Sequence, residues 1–187
     1  MKTFKVFNSL YLFLSLFYIS ACSTNKMDKS YPNQKIENPK PRFEHSKFFL
    51  NGVGDIHIGD TFNKKSFVKA EEEIEGCFHA ENKEYPDFSF KFIDNKLVEI
   101  ESYSKNQVIS PYGIKIGDMP KLIYQKHKGE KEEIMNHPYG DENDKVIFYW
   151  YKVNDEDLGI KYVIMNNKVE SISVGKKEQL PYMEGCL

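Results

Sequence analysis

The sequence has little cysteine, a single tryptophan and no surplus of either charge. Its three cysteines, Cys22, Cys77 and Cys186, form no Cys-x-x-Cys pair. The 26 Lys and Arg residues are dispersed and balanced by 28 Asp and Glu. No basic stripe is present, so nothing points to nucleic acid. There is no glycine-rich phosphate loop and no Gly-x-Ser-x-Gly elbow. The five histidines include no i, i+4 pair with a carboxylate between them. Asp141-Glu-Asn-Asp144 and Asp155-Glu-Asp157 are acidic turns, but neither completes a calcium loop. These absences predict no catalytic set, no cofactor and no metal.

What is present begins at the first residues. MKTFK carries Lys2 and Lys5, and an apolar run from Val6 to Ile19 follows. A basic start, an apolar middle and small residues before a cut make a secretory signal. The run is short for a membrane span. It ends in Ile19-Ser20-Ala21-Cys22, which resembles the bacterial lipobox. That resemblance implies cleavage after residue 21 and lipidation of Cys22, so the chain would meet the membrane through its N-terminal lipid. Acyl chains contribute roughly 0.8 kcal/mol per buried methylene. Ser23, in place of Asp, leans towards the outer membrane, facing the periplasm. Without Lys2 and Lys5 the mature chain has 24 basic against 28 acidic residues, a net charge of about −4.

Residues 22–46 are polar and proline-containing, without periodicity, and are expected to form a flexible tether. In an oxidising compartment the two remaining thiols, Cys77 and Cys186, are most simply a disulfide. Such a bridge closes a loop worth ~4–5 kcal/mol in the chain-entropy account. A redox-active pair or a metal site is the alternative, unsupported by a nearby histidine pattern.

The folded part contains echoes. Ile56-His-Ile58-Gly59-Asp60 matches Ile114-Lys-Ile116-Gly117-Asp118, and 93-IDNKLVEI-100 matches 165-MNNKVESI-172. Two matches in the same order make an internal duplication. Asp60 and Asp118 are placed to cap helices over 61–74 and 119–128, with Pro120 in a first turn. Phe88, Phe90 and Phe92 alternate on one strand face; 145–153, 157–165 and 168–174 read as further strands. The expected fold class is α+β: two tandem repeats, 47–108 and 109–187, each a short helical element packed on an antiparallel β-meander. Alternation in 145-KVIFYWYKV-153 separates Phe148 and Trp150 from Tyr149 and Tyr151. The two tyrosines, with Tyr162, are the candidate binding face, since tyrosine gives rigid contact area at low entropic cost.

The Ile-Gly-Asp turns followed by a meander resemble the repeat of the SmpA/OmlA (BamE-like) lipoproteins and the tandem β-lactamase-inhibitor proteins. The chain is also similar to a group of bacterial lipoproteins of unassigned activity. Gly113-Ile-Lys-Ile-Gly-Asp118, Asn136-His-Pro-Tyr139, Gly159-Ile-Lys-Tyr162, Val169-Glu-Ser-Ile172, Gly175 and Tyr182-Met-Glu-Gly-Cys186 carry that likeness. His137 precedes Pro138 here, whereas in that group the order is reversed. The resemblance implies a non-catalytic envelope lipoprotein that binds another envelope or secreted protein, in an assembly or an inhibitor role. A small-ligand or cation sensor and an envelope hydrolase are the alternatives.

Overall fold

The computed structural model describes residues 47–105 and 108–186. Its elements are β1 (Phe48–Phe49), β2 (Gly52–Val53), β3 (Ile56–His57), β4 (Phe67–Lys69), β5 (Cys77–Asn82), β6 (Ser89–Ile93), β7 (Lys96–Ser102), α1 (Pro120–Lys126), β8 (Glu132–Asn136), β9 (Lys145–Val153), β10 (Glu156–Met165) and β11 (Lys168–Lys176). Strands β1–β3 make a small sheet. The other eight form one antiparallel sheet in the order β4-β5-β6-β7-β11-β10-β9-β8. Each half of the chain supplies a four-stranded meander, and the last strands of the two meanders pair at the centre.

The expected α+β class is therefore overturned. The described residues are mostly β, with one short helix and no helix in the first half. The predicted helix over 61–74 is a turn at 63–66 followed by strand β4. Only Phe67 of that stretch is fully buried, while Val68 and Ile74 are exposed. One buried residue gives a helix no apolar stripe to pack. The second helix is α1, seven residues, with Ile123 buried. Asp60 and Asp118 do not cap helices. Each carboxylate accepts from the backbone N–H three residues back, His57 and Lys115, at 2.8 Å in both. α1 begins after Met119 with no side-chain cap.

The two echoed segments share backbone detail. Gly59 and Gly117 adopt φ of 95° and 91°, a region that favours glycine. Gly59 donates to Leu97 O and Gly117 to Val169 O; Leu97 and Val169 donate back to Asp60 O and Asp118 O. The hairpin turns Asp94-Asn95 and Asn166-Asn167 have φ of 49° and 60°, then 51° and 60°, as a type I′ turn needs. Just past each turn the register shifts, so that Val98 in β7 and Glu170 in β11 stand unpaired as bulges.

One sheet face carries the main core. Phe78, Phe90, Phe92, Leu97, Ile100, Ile160, Tyr162, Ile172 and Val174 lie there, covered by Phe48, Ile56, Phe62, Ile114 and α1. Phe78 and Phe92 stack at 5.4 Å, and Phe62 meets both edge-on. Each such ring contributes roughly 1.5–3 kcal/mol of burial. Ser110 and its neighbours enter this layer through side-chain bonds to the Tyr112 and Ile114 N–H groups.

The opposite face is crossed by the segment after β11. Leu180 is fully buried there with Val146, Phe148 and Val163, and Trp150 and Met183 pack around them. Gly159 is needed at this point, because a Cβ would sit 2.3 Å from the Trp150 ring and 3.0 Å from Leu180. The segment then reaches Cys186, which is joined to Cys77 on β5 with Cα atoms 5.3 Å apart. Four strand spacings separate β10 from β5, about 19 Å. Six residues at up to about 3.5 Å each reach about 20 Å. Residues 181–186 thus form a strap across the sheet with little slack.

Candidate functional site

Under the strap lies a cavity of about 410 Å³. Its existence follows from β11. That strand alternates Ile172 and Val174 into the core with Ser171, Ser173 and Gly175 on the strap face. The three small residues leave a trough along the middle of the sheet. At Gly175 a Cβ would meet the Val98 carbonyl oxygen at 2.6 Å, so this position tolerates no side chain.

Charged side chains cross the trough. Lys161 on β10 reaches Glu99 on β7 at 2.7 Å, and both side chains are buried. Burial pushes the Glu99 carboxyl up, against the opposing charge of Lys161. Breaking such a pair leaves an uncompensated charge, which typically costs 3–5 kcal/mol. Glu101, two residues on, accepts from the Ser171 hydroxyl at 2.9 Å and the Tyr103 hydroxyl at 2.6 Å. Lys91 lies opposite Glu99 in the β6–β7 ladder and is only 5% exposed. Burial lowers its affinity for a proton, with Glu99 opposing. Its ammonium makes no ion pair or side-chain hydrogen bond among the described residues. The Ser173 hydroxyl, on the same face, is buried without a partner.

The mouth is aromatic. Tyr103, Tyr139 and Tyr182 all line the cavity and are 62%, 67% and 65% exposed. The Tyr139 hydroxyl donates to Glu184, tying the 137–140 loop to the strap. His137 accepts from the Tyr139 N–H at 3.2 Å. Val163, Met165 and Met183 supply an apolar wall.

At the strap's far end His79 Nδ1 meets Glu71 at 2.5 Å, beside the disulfide. This contact holds the Glu71 carboxyl below its usual range. Donor atoms of Glu71, His79 and Cys186 all lie within 4.8 Å of one another. With Cys186 bonded to Cys77, no thiolate is offered, and one imidazole with one carboxylate falls short of a zinc donor set. Asp144, in the first acidic turn, accepts from the Asp141 and Asn166 N–H groups, which hold its carboxyl low. It ties the loop to the β10–β11 turn.

The tyrosines expected to form a binding face lie on the other side. Alternation on β9 is as read, but the strap and Leu180 cover Phe148 and Trp150, while Tyr149 and Tyr151 face the main core. Tyr149 and Tyr162 are 2% and 0% exposed. Buried His127 stacks on Tyr149 at 3.8 Å and touches Tyr112 at 3.7 Å. Its Nε2 is 3.0 Å from the Tyr162 hydroxyl, and its Nδ1 is 2.8 Å from Glu130. Tyr162 donates to Ser110 at 3.2 Å, and Tyr151 to the Leu50 carbonyl at 2.8 Å. In the Glu130–His127–Tyr162–Ser110 chain, Ser110, His127 and Tyr162 are all buried. It fastens the covering layer to the sheet.

Cys22 and the 22–46 tether lie outside the described residues. Among those described, no helix is long and apolar enough to cross a membrane. In comparisons with known proteins, no family model matches the chain, and no curated protein or solved structure matches it.

Proposed function

We propose that the chain is a non-catalytic binding module of the cell envelope, lipid-anchored at Cys22, and that it engages another envelope or secreted protein through the tyrosine-rimmed cavity under the strap. One observation carries this reading: three well-exposed tyrosines converge on the mouth of a single cavity with a buried, charged floor. Tyrosine is enriched where binding energy concentrates, because a two-torsion ring brings much contact area at small entropic cost. The disulfide supports the same reading. It fixes one wall of the site before any partner arrives, which lowers the ordering cost of association. An assembly role and an inhibitor role both fit. The resemblance to non-catalytic lipoprotein repeats leans the same way.

Site-specific photo-cross-linking in cells tests the proposal. A benzophenone amino acid placed at 139 or 182 should yield one defined adduct. The same probe at Tyr124, exposed on α1, should not. The purified partner should then bind the wild type at least about tenfold more tightly than Tyr182→Ala. Adducts from 124 alone, or an unchanged affinity, would sink the reading.

A small-ligand sensor is the second reading, favoured by the cavity volume, which falls within the range of small-molecule sites.

A further inference from the structure

Among the described residues, one group of metal-ligating side chains is closely gathered: donor atoms of Glu71, His79 and Cys186 lie within 4.8 Å of one another. Cys77 adds a fourth donor, because its sulfur is bonded to that of Cys186. Three separate pieces of chain bring these residues together. Phe78 and Ala80 of β5 point into the core, so Cys77 and His79 share the opposite face, two residues apart. Glu71 is turned onto them by two backbone groups. The Ala70 N–H donates to the His79 carbonyl at 2.9 Å, and the His79 N–H donates to the Glu71 carboxylate at 3.2 Å. Cys186 arrives on the strap, where Gly185 lies against the His79 ring; a Cβ there would stand 3.2 Å from Cε1. His79 and Glu71 are partly exposed, so an ion can reach them without opening the sheet.

In the bonded state the two sulfurs offer no thiolate. With the bond open, the same corner holds two thiols, an imidazole and a carboxylate. Four donors of these kinds suit a closed tetrahedral zinc site, and two sulfurs disfavour calcium or magnesium. Zinc–donor bonds of ~2.0–2.3 Å set the donors about 3.3–3.8 Å apart, a spacing that side-chain rotations can reach from the present cluster.

We infer that Cys77, Cys186, His79 and Glu71 form a zinc site when the disulfide is open, and that the ion then fastens the strap in place of the bond. The step balances. A dithiol gives two electrons and two protons to the bridge and itself becomes a disulfide, leaving Cys77 and Cys186 as thiols. Zn²⁺ then displaces one proton from each thiol and binds both thiolates, neutral His79 and the Glu71 carboxylate. A newly made chain, before the bridge closes, is already in the thiol state. The inference does not depend on what the cavity under the strap binds.

Anaerobic titration with cobalt(II), which shows visible bands when bound by thiolates in a tetrahedral site, tests this. The protein is the full chain carrying Cys22→Ser in mild detergent, so that Cys77 and Cys186 are the only thiols. The reduced chain should develop these bands with one equivalent of cobalt and lose them to zinc; the disulfide-bonded chain should show none. His79→Ala and Glu71→Ala should each weaken binding at least about tenfold, since even outer partners of a metal ligand contribute that much. Melting curves of the disulfide-bonded variants verify that they are folded. Proteolysis within 181–186 should be faster in the reduced, metal-free chain and return to the slow rate with zinc. Should the reduced chain lose its sheet, zinc must restore it in the wild type and not in His79→Ala. No cobalt bands on reduction, full affinity in either variant, or a strap that zinc neither protects nor refolds overturns the inference.

Discussion

At Asp60 and Asp118 the two halves of the molecule make the same turn; at Glu99 and Ser171 they part. The glycine conformations, the back-bonded carboxylates, the asparagine turns and the bulges at Val98 and Glu170 recur in both meanders. The core positions recur too, with Phe90 matched by Tyr162 and Ile100 by Ile172. On the strap face the equivalents diverge. Glu99 and Glu101 stand where the second half has Ser171 and Ser173; Lys91 stands where it has Val163, and Ser89 where it has Lys161. One repeat supplies the carboxylates and Lys91, and the other supplies the empty trough and the paired lysine. Neither half alone holds the site. What the backbone needs has been kept twice, and what the cavity needs is divided between the copies.

The largest test of this contrast strikes a shared position. Phe90→Ala and Tyr162→Ala should each lose about 3–5 kcal/mol of stability in denaturant unfolding, because both create a core cavity. Tyr182→Ala on the strap should stay within about 0.5 kcal/mol. A strongly destabilising Tyr182→Ala would make the mouth structural instead.

A second test concerns the bridge, which ties β5 in the first half to the end of the second. Cys186→Ser should cost about 2–5 kcal/mol and release the strap. Proteolysis within 181–186 should accelerate while the sheet persists. An unchanged cleavage rate would mean that Leu180 and Tyr139 hold the strap without it.

The smallest expected effect is at His127, which has no counterpart in the helix-free first half. Burial sets its folded pKa below the ordinary 6.5, with Glu130 opposing. Below about pH 6.5 the unfolded chain then binds the proton more readily, so stability should fall as pH drops from 6.5 towards the folded value. Above 6.5 this contribution is constant. His127→Gln should flatten that part of the profile, measured as Tm against pH, and a slope unchanged by the substitution would rule His127 out as its source.

Much of the sheet was legible in the sequence. The alternation of Phe88, Phe90 and Phe92, the asparagine turns and the repeated Ile-Gly-Asp motif all mark local rules that the backbone obeys. The missing helix was not legible in the same way. Phe62, Phe67, Val68 and Ile74 have near-helical spacing, but only the sheet decides that Phe67 packs inward from a strand. The tyrosine face failed for a related reason. Alternation divides β9 into two faces without saying which one a distant segment covers, and Leu180 and the strap made both of them interior. The trough did leave a signal. In 168-KVESISVGK-176 the residues opposite Ile172 and Val174 are Ser171, Ser173 and Gly175, too small for an ordinary exposed strand face. The charged floor left none, because Lys91, Glu99 and Lys161 meet only across the central pairing.

That central pairing also sets an order of events. Every ladder in the large sheet but one joins strands adjacent in sequence. The exception, β7 with β11, brings together residues such as Glu101 and Ser171, 70 positions apart. Local hairpins close cheaply and early, whereas distant contacts must first overcome loop entropy. The two meanders are thus the early units, the seam between them is the slow step, and the bridge over 109 residues follows it. Because the cavity floor spans the seam, a chain whose halves have not met has no cavity, and the formed floor is itself the mark of a completed sheet.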